Sequence, residues 1–259
     1  MNKVKLLFCA PIICCITMLV GCARNDGRKT FEFLKAEHDI VENTKVELKQ
    51  SIKPVRFPTP PVFSASVNRS ERIAKTKQYH DALNNYWNTI IQNSQQAERI
   101  LNDAETKISG LDSAEAGDDA INLTKGYESS FGDRVQVFVE IEALAKLEQT
   151  KLNKNEQSHL IASVIPGILE TVATDNPAFA VNSFLKGASS DLNQENKQDQ
   201  EIQAHLTRLQ EMMETFKHDS GDLITKRSEL VTSYRAKYPK FSWDELVPTA
   251  GQTNTNKVN

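Results

Sequence analysis

Residues 202–234 read IQAHLTRLQEMMETFKHDSGDLITKRSELVTSY. Apolar residues recur there in alternating steps of three and four, which places them on one stripe of an α-helix. The stripe consists of Ile202, Leu206, Leu209, Met213, Phe216, Leu223, Leu230 and Tyr234. Ser220 and Arg227 are the polar interruptions of this stripe, and Pro239 ends the helix. A narrow stripe of this length is typical of a coiled-coil seam.

The same spacing occurs twice more, nearer the N-terminus. One stripe comprises Phe31, Leu34, His38, Val41, Lys45, Leu48, Ile52 and Val55, and Pro54 is expected to end its helix. Another comprises His80, Leu83, Trp87, Ile90, Ser94, Ala97, Leu101, Ala104 and Ile108. We expect its helix to begin near Ser70, a suitable N-cap, and to end at Ser109, before Gly110. The three seams predict an all-α protein: an elongated bundle of four to six helices, two of them about 60–70 Å long.

One stretch in the middle of the chain also carries a strand-like signal. In the stretch VQVFVEIE at 135–142, Val135, Val137, Val139 and Ile141 alternate with Gln, Phe, Glu and Glu, which taken alone is the period of a strand. The continuation over 143–148, ALAKLE, is strongly helix-forming. Because Phe131, Val135, Phe138, Glu142 and Ala145 also keep a helical step, we predict a helix here and little or no strand.

The most apolar part downstream of the N-terminal segment is 160–185, where Glu170 and Asp175 are the only acidic groups and Lys and Arg are absent. Pro166 and Gly167 should kink or split any helix there, and the DNP sequence at 175–177 favours a new helix start. Each half is too short to span a bilayer. We expect a pair of short helices packed on the long ones, and the alternative is an exposed surface that meets a membrane or a partner.

The N-terminus resembles the signal peptide of a bacterial lipoprotein. Lys3 and Lys5 precede an apolar run from Leu6 to Val20, and residues 19–22 read LVGC, which is similar to a lipobox. The resemblance implies cleavage before Cys22, an S-diacylglycerol on its thiol and an N-acyl group such as palmitate on its amino group. It covers the signal segment only.

Cysteine usage is consistent with that interpretation. The other three cysteines, Cys9, Cys14 and Cys15, lie within the segment that cleavage would remove, so no internal disulfide or cysteine metal site would remain. By resemblance to Gram-negative lipoproteins, Ala23 after the cysteine favours the periplasmic face of the outer membrane. In any other host, the resemblance implies only a lipid anchor in the cell membrane.

The predicted domains are a signal peptide at 1–21, a lipidated tether at 22–29, a single helical domain at 30–247 and a disordered tail at 248–259. Four prolines within 54–61 predict an extended connection over 54–63. It is either a stiff linker or a docking segment in which Phe57 and Phe63 supply apolar contacts. Trp243, beside Tyr238 and Phe241, either clamps the end of the last helix or contacts a partner.

The sequence offers no recognisable catalytic or metal-binding pattern. It lacks a GxSxG elbow, a phosphate-binding GxxxxGK[ST] loop, a GxGxxG turn and an HExxH helix. Glu156 and His159 form one Glu-x-x-His pair, but a di-iron bundle needs two. A net charge of −3 argues against a nucleic-acid binder. We therefore expect a non-enzymatic protein without a cofactor or a metal ion.

These observations predict a lipid-anchored helical scaffold or interaction protein of the cell envelope. Its partners would be the bilayer, through acylated Cys22, and an unidentified protein; the seams also permit coiled-coil self-association. A protective lipoprotein that binds a toxin or a transfer component is one alternative. A membrane-active helical protein is another.

Overall fold

Five stretches of the residues that the structure describes are α-helical. The computed structural model describes residues 9–153, 159–174 and 197–247, with side chains described over 27–152, 164–174 and 199–247. The α-helices of these residues are α1 (Cys9–Ser51), α2 (Arg69–Ser109), α3 (Asp118–Asn153), α4 (His159–Thr174) and α5 (Lys197–Lys237). A short 3-10 helix, η1, follows at Trp243–Leu246. The described residues contain no strand, so the prediction of an all-α helical bundle is confirmed.

The seam positions predicted from the sequence are largely buried. On α5, Ile202, Leu209 and Phe216 are at most 3% exposed, and Ser220 and Arg227, the two polar interruptions, are buried as well. On α2, Ile90, Ala97 and Leu101 are fully buried. The helices therefore use the three-four stripe to bury apolar side chains against their neighbours, which is what drives helix association in water.

Helix α3 contains the segment with strand-like alternation. Val135, Val137, Phe138 and Ile141 are buried, whereas Val139 is 41% exposed. Burial at 135, 138 and 141 follows the helical step, and the additional burial of Val137 widens the apolar stripe. The helical prediction for this stretch is confirmed.

Two helix ends differ in detail from the sequence prediction. Helix α2 begins at Arg69, and Asn68 is its cap, because the side-chain Oδ1 of Asn68 accepts a hydrogen bond of 2.9 Å from the backbone N–H of Glu71. The choice of Ser70 as N-cap was therefore wrong by two residues. Asn and Ser cap helices equally well, so residue type alone does not decide between Asn68 and Ser70. Pro54 follows the end of α1 and Pro239 follows that of α5, as predicted.

Helix α4 runs through Pro166 without a break and ends at Thr174. Of the kink or split expected at 166–167, the split does not occur. A proline removes only one backbone donor, and burial of Ile165, Ile168 and Leu169 holds both sides of it in the helix. The second half of the apolar region, 175–185, lies outside the described residues. So do the predicted tail at 248–259 and the helix start at 175–177.

The chain divides into two compact units. Unit 1 comprises Met1–Ile40, Lys107–Tyr127 and Asp222–Asn259, and unit 2 comprises Val41–Thr106 and Glu128–Gly221. Helices α1, α2, α3 and α5 each contribute residues to both units. The single domain over 30–247 stays a prediction.

The residues predicted as a tether, 22–29, lie within α1, which begins at Cys9. Within unit 1, Gly27 is buried, and a Cβ built there would lie 2.6 Å from the Cδ1 atom of Tyr238. Any larger residue at this position would require the Tyr238 ring to move, so the glycine permits this close approach of α1 to the segment after α5. The packed part of unit 1 therefore includes Gly27.

Candidate functional site

In unit 1, a buried arginine joins three helices. Arg227 of α5 is 1% exposed, and its guanidinium donates a hydrogen bond to the carboxylate of Glu37 on α1. Its Nε donates to the hydroxyl of Tyr127 on α3 at 3.1 Å, and its charge lies 4.7 Å from the centroid of that ring. Its Nη1 is 3.1 Å from Nδ1 of His38. We call these four residues the Arg227 cluster.

The electrostatics of the Arg227 cluster favour a charged pair. Burial acts to lower the pKa of Arg227. The charge of Glu37, the interaction with Tyr127 and the hydrogen bonds to both residues act to raise it. These contacts outweigh burial, so the pKa of Arg227 lies above its ordinary value. Glu37 is fully buried. Because a buried charge left without its partner is costly, this ion pair favours the arrangement in which α1 and α5 meet at these two residues. The seam histidine His38 thus belongs to an interior polar cluster.

Trp243 lies inside an aromatic cluster of unit 1. It is 1% exposed, and its ring meets those of Phe31, Tyr234 and Phe241 at centroid distances of 5.0, 5.4 and 6.0 Å. Its Nε1 donates a hydrogen bond of 2.8 Å to the carbonyl oxygen of Tyr238. This is the geometry of a clamp on the end of α5. A partner contact by Trp243 stays a prediction and would require the ring to leave this cluster.

In unit 2, the proline-rich connection is attached to α2 at both ends. The backbone N–H and carbonyl of Lys53 bond the Asn93 side chain at 3.1 and 2.9 Å. The Phe57 ring meets Tyr86 edge-on at 5.4 Å, and the Phe63 ring lies 5.8 Å from the Arg72 guanidinium. Both phenylalanines are therefore partly buried against the protein itself. Val62, which no sequence pattern marks as a contact residue, is 90% exposed.

A pair of carboxyl groups links α2 and α3 in unit 2. Burial, a hydrogen bond with Glu142 and the negative charge of Glu142 raise the pKa of Glu98 to about 7. Burial opposes ionisation of Glu142 too, but hydrogen bonds from Lys146 at 2.6 Å and Gln95 at 2.7 Å outweigh it and lower its pKa. Glu98 therefore keeps its proton over a pH range in which Glu142 is already ionised.

The other polar clusters of unit 2 also connect helices. Glu140 of α3 accepts hydrogen bonds from Arg208 at 2.8 Å and His205 at 2.6 Å, both on α5. Lys151 and Asp199 form a buried pair at 2.6 Å. His205 thus pairs with Glu140 on another helix and not with Glu201, its neighbour in sequence. Among the residues described, no group of three or more His, Cys, Asp or Glu side chains could hold a metal ion.

Arg134 occupies the end of α4. It is 2% exposed, and its Nη2 donates to the carbonyl oxygens of Val172 at 2.6 Å and Ala173 at 3.4 Å. These carbonyls lie in the last turn of α4, where a helix carries partial negative charge and lacks intrahelical donors. The arginine therefore satisfies and neutralises this helix end.

Next to that end, unit 2 has a cleft of about 350 Å³, which we call the α1–α4 cleft. It lies between 49–56, where α1 gives way to the proline-rich connection, and 166–174 of α4. Its apolar lining comes from Ile52, Pro54, Val55, Pro166, Leu169 and Ala173, and its charged groups are Lys49, Lys53, Arg56 and Glu170. An apolar lining with a few charged groups is typical of a ligand site.

Comparison with known proteins found no match to any family model, curated protein or solved structure. Across the described residues, no helix is both long and apolar enough to cross a membrane.

Proposed function

We propose that the protein is a lipid-anchored protein of the bacterial cell envelope. The observation that carries this proposal is the LVGC sequence at 19–22, preceded by Lys3, Lys5 and an apolar run. In this proposal the mature chain begins at Cys22, with acyl chains on its thiol and amino group. Two or more acyl chains anchor a protein stably, whereas one does so only marginally. With Ala23 at the next position, the anchor would lie in the outer membrane, on the periplasmic face, of a Gram-negative host.

The folded part would act as a non-enzymatic helical scaffold or interaction protein. The polar clusters around Arg227, Glu140 and Lys151 support this role, because each joins side chains of different helices. For protein contact, Val62 at 90% exposure and Ile73 at 60% are apolar side chains available to a partner. Both belong to unit 2, on the proline-rich connection and the first turns of α2. They favour a docking role for this connection.

Replacing Cys22 with Ser tests the anchor. Cells fed radiolabelled palmitate should label the wild-type protein and leave the Cys22→Ser variant unlabelled and unprocessed. Cys15→Ser is the matched control, since it removes a neighbouring thiol and leaves LVGC intact. Equal labelling of wild type and Cys22→Ser would refute lipidation at this residue.

A photoreactive amino acid at position 62 tests the interaction role. Irradiation of cells should cross-link position 62 to a specific envelope protein, while the same group at exposed Glu211 on α5 should not capture it. Capture at both positions, or at neither, would contradict a docking role for the proline-rich connection. The identity of a captured protein would also decide whether the partner is a toxin or transfer component, as the protective-lipoprotein alternative requires.

A further inference from the structure

We propose that the α1–α4 cleft binds a single-chain lipid with an anionic headgroup, namely a fatty acid. In this arrangement the acyl chain lies on the apolar lining, and Lys49, Lys53 and Arg56 receive the carboxylate.

The apolar lining is contributed by both sides of the cleft. On α4, Leu169 and Ala173 are 1% and 2% exposed and form a buried surface. On the other side, Ile52 and Val55 are only half-buried. Covering the accessible part of Ile52 and Val55 with an acyl chain would remove apolar surface from water, which is the main favourable term in binding such a ligand.

The charge of the lining selects an anion. Lys49, Lys53 and Arg56 are exposed, and within the described part of the chain none of the three forms an ion pair. Glu170 is the one acidic group among the described lining residues. Three cations against one carboxylate leave a positive surplus. A carboxylate can accept charge-assisted hydrogen bonds from Lys and Arg, including two from a single Arg.

Two contacts preserve the positive charge of the cleft. The backbone of Lys53 is held by the Asn93 side chain, so the chain that carries Lys53 and Arg56 is attached to α2. Arg134 satisfies the last carbonyls of α4, whose partial negative charge would otherwise oppose an anion beside Ala173. Both contacts organise the cleft before any ligand arrives, which lowers the cost of binding.

The size of the cleft indicates one acyl chain. Its volume of about 350 Å³ is at the small end of the range for ligand pockets. A single chain fits that size better than the two chains of a phospholipid. This ligand is non-covalent, so the inference does not depend on acylation of Cys22 and can fail or succeed separately from the lipid anchor.

The experiment uses a photoreactive fatty acid. The full-length protein is reconstituted in vesicles of phosphatidylcholine, which carries no net charge, and irradiated with diazirine-bearing hexadecanoic acid. A second sample receives the corresponding hexadecanol, which has the same chain and no charge. Peptide mass spectrometry should locate adducts of the acid in 49–56 and 164–174, with clearly weaker labelling by the alcohol.

Variants test the contributions of the cations and of the apolar lining separately. Lys53→Glu with Arg56→Glu should lower labelling of the cleft by the acid about tenfold, roughly the effect of losing one charge-assisted hydrogen bond. The matched control, Lys125→Glu with Lys217→Glu, makes the same change of charge at exposed positions away from the cleft and should label normally. Thr174→Trp, which fills the cleft from an exposed position, should reduce labelling by both probes.

Three results would overturn the proposal. Adducts distributed along the chain without enrichment at 49–56 and 164–174 would mean that the cleft is not a lipid site. Equal labelling by acid and alcohol, or unchanged labelling of the Lys53→Glu, Arg56→Glu variant, would mean that the cations do not select the headgroup. All variants alter exposed side chains, and unchanged thermal unfolding identifies those that remain folded.

Discussion

Arg227 and Glu37 form an ion pair although they are 190 residues apart in the chain, and both are at most 1% exposed. Arg227 occupies a seam position of α5 where an apolar residue would be expected, and Glu37 lies beside the seam of α1. Removing one partner leaves the other as an uncompensated buried charge, which is far more costly than removing both.

Arg227→Met should therefore lower the free energy of unfolding by about 3–5 kcal/mol. The double variant Arg227→Met, Glu37→Leu should recover most of that loss, since neither charge remains. Urea unfolding of the chain from Ala23 measures the free energy of unfolding of the single and the double variant. The control is Lys226→Met, at the exposed neighbouring position. An equal loss of unfolding free energy in the single and double variants would show that Arg227→Met destabilises the protein through lost packing and not through an unpaired buried charge.

The stability of the protein should depend on the proton held by Glu98. In the folded protein the pKa of Glu98 is about 7, against an ordinary value of 4.5. The folded state therefore binds more protons than the unfolded chain between these values, and the free energy of unfolding falls as the pH rises from 4.5 to 7. Burial and Asp219 also raise the pKa of Asp133, which adds to the same trend.

Glu98→Gln should flatten this dependence without abolishing it. Glutamine imitates the protonated carboxyl, so the variant should be more stable than wild type by about 1 kcal/mol above neutrality, an amount reduced by solvent screening of a partly exposed pair. Near pH 4.5 the two should be alike. Urea unfolding across the pH range measures the effect, and Glu211→Gln, at an exposed site, should retain the wild-type slope. An unchanged slope in Glu98→Gln would contradict the assignment.

Ile165 tests whether the apolar part of α4 is core. It is 1% exposed, so Ile165→Asp should unfold the protein or destabilise it strongly, because an unpaired charge cannot be buried cheaply. Val46→Asp makes a similar change at a side chain that is 53% exposed and should be tolerated. Thermal unfolding compares them. Unchanged stability of Ile165→Asp with loss of membrane or partner binding would favour the exposed-surface alternative.

Trp243 should contribute to stability through two separable interactions. Trp243→Ala removes the ring from the cluster with Phe31, Tyr234 and Phe241 and should cost about 3–5 kcal/mol. Trp243→Phe keeps an aromatic ring and loses the hydrogen bond to Tyr238, which should cost about 1 kcal/mol. Thermal unfolding ranks the variants. Wild-type stability in Trp243→Ala would mean that the ring is free to serve a partner.

Local periodicity was sufficient to predict that α2, α3 and α5 are helices. The seam positions of α2 and α5 are buried because a three-four spacing always brings side chains to one face of a helix, whatever packs against it. The same rule resolved 135–141, where burial of Phe138 and Ile141 follows the helical step. Helix ends were less certain because Asn68 and Ser70 are both good caps.

The polar contacts and the cleft could not be predicted in this way. The sequence identifies Arg227 as an interruption of a seam, but its partner Glu37 lies on a helix 190 residues away. The α1–α4 cleft likewise combines 49–56 with 166–174, two stretches that share no motif. Such contacts depend on which helices are neighbours, and the spacing within one helix contains no information about that.

The mass of the N-terminal peptide of the protein purified from bacterial envelopes decides whether the chain is anchored by lipid. We predict a chain that begins at Cys22 and carries a diacylglyceryl group on the thiol and an acyl group on the amino nitrogen. A chain that keeps residues 1–21, or that begins at Cys22 or elsewhere without acyl groups, would contradict the proposal that this helical protein is anchored by lipid.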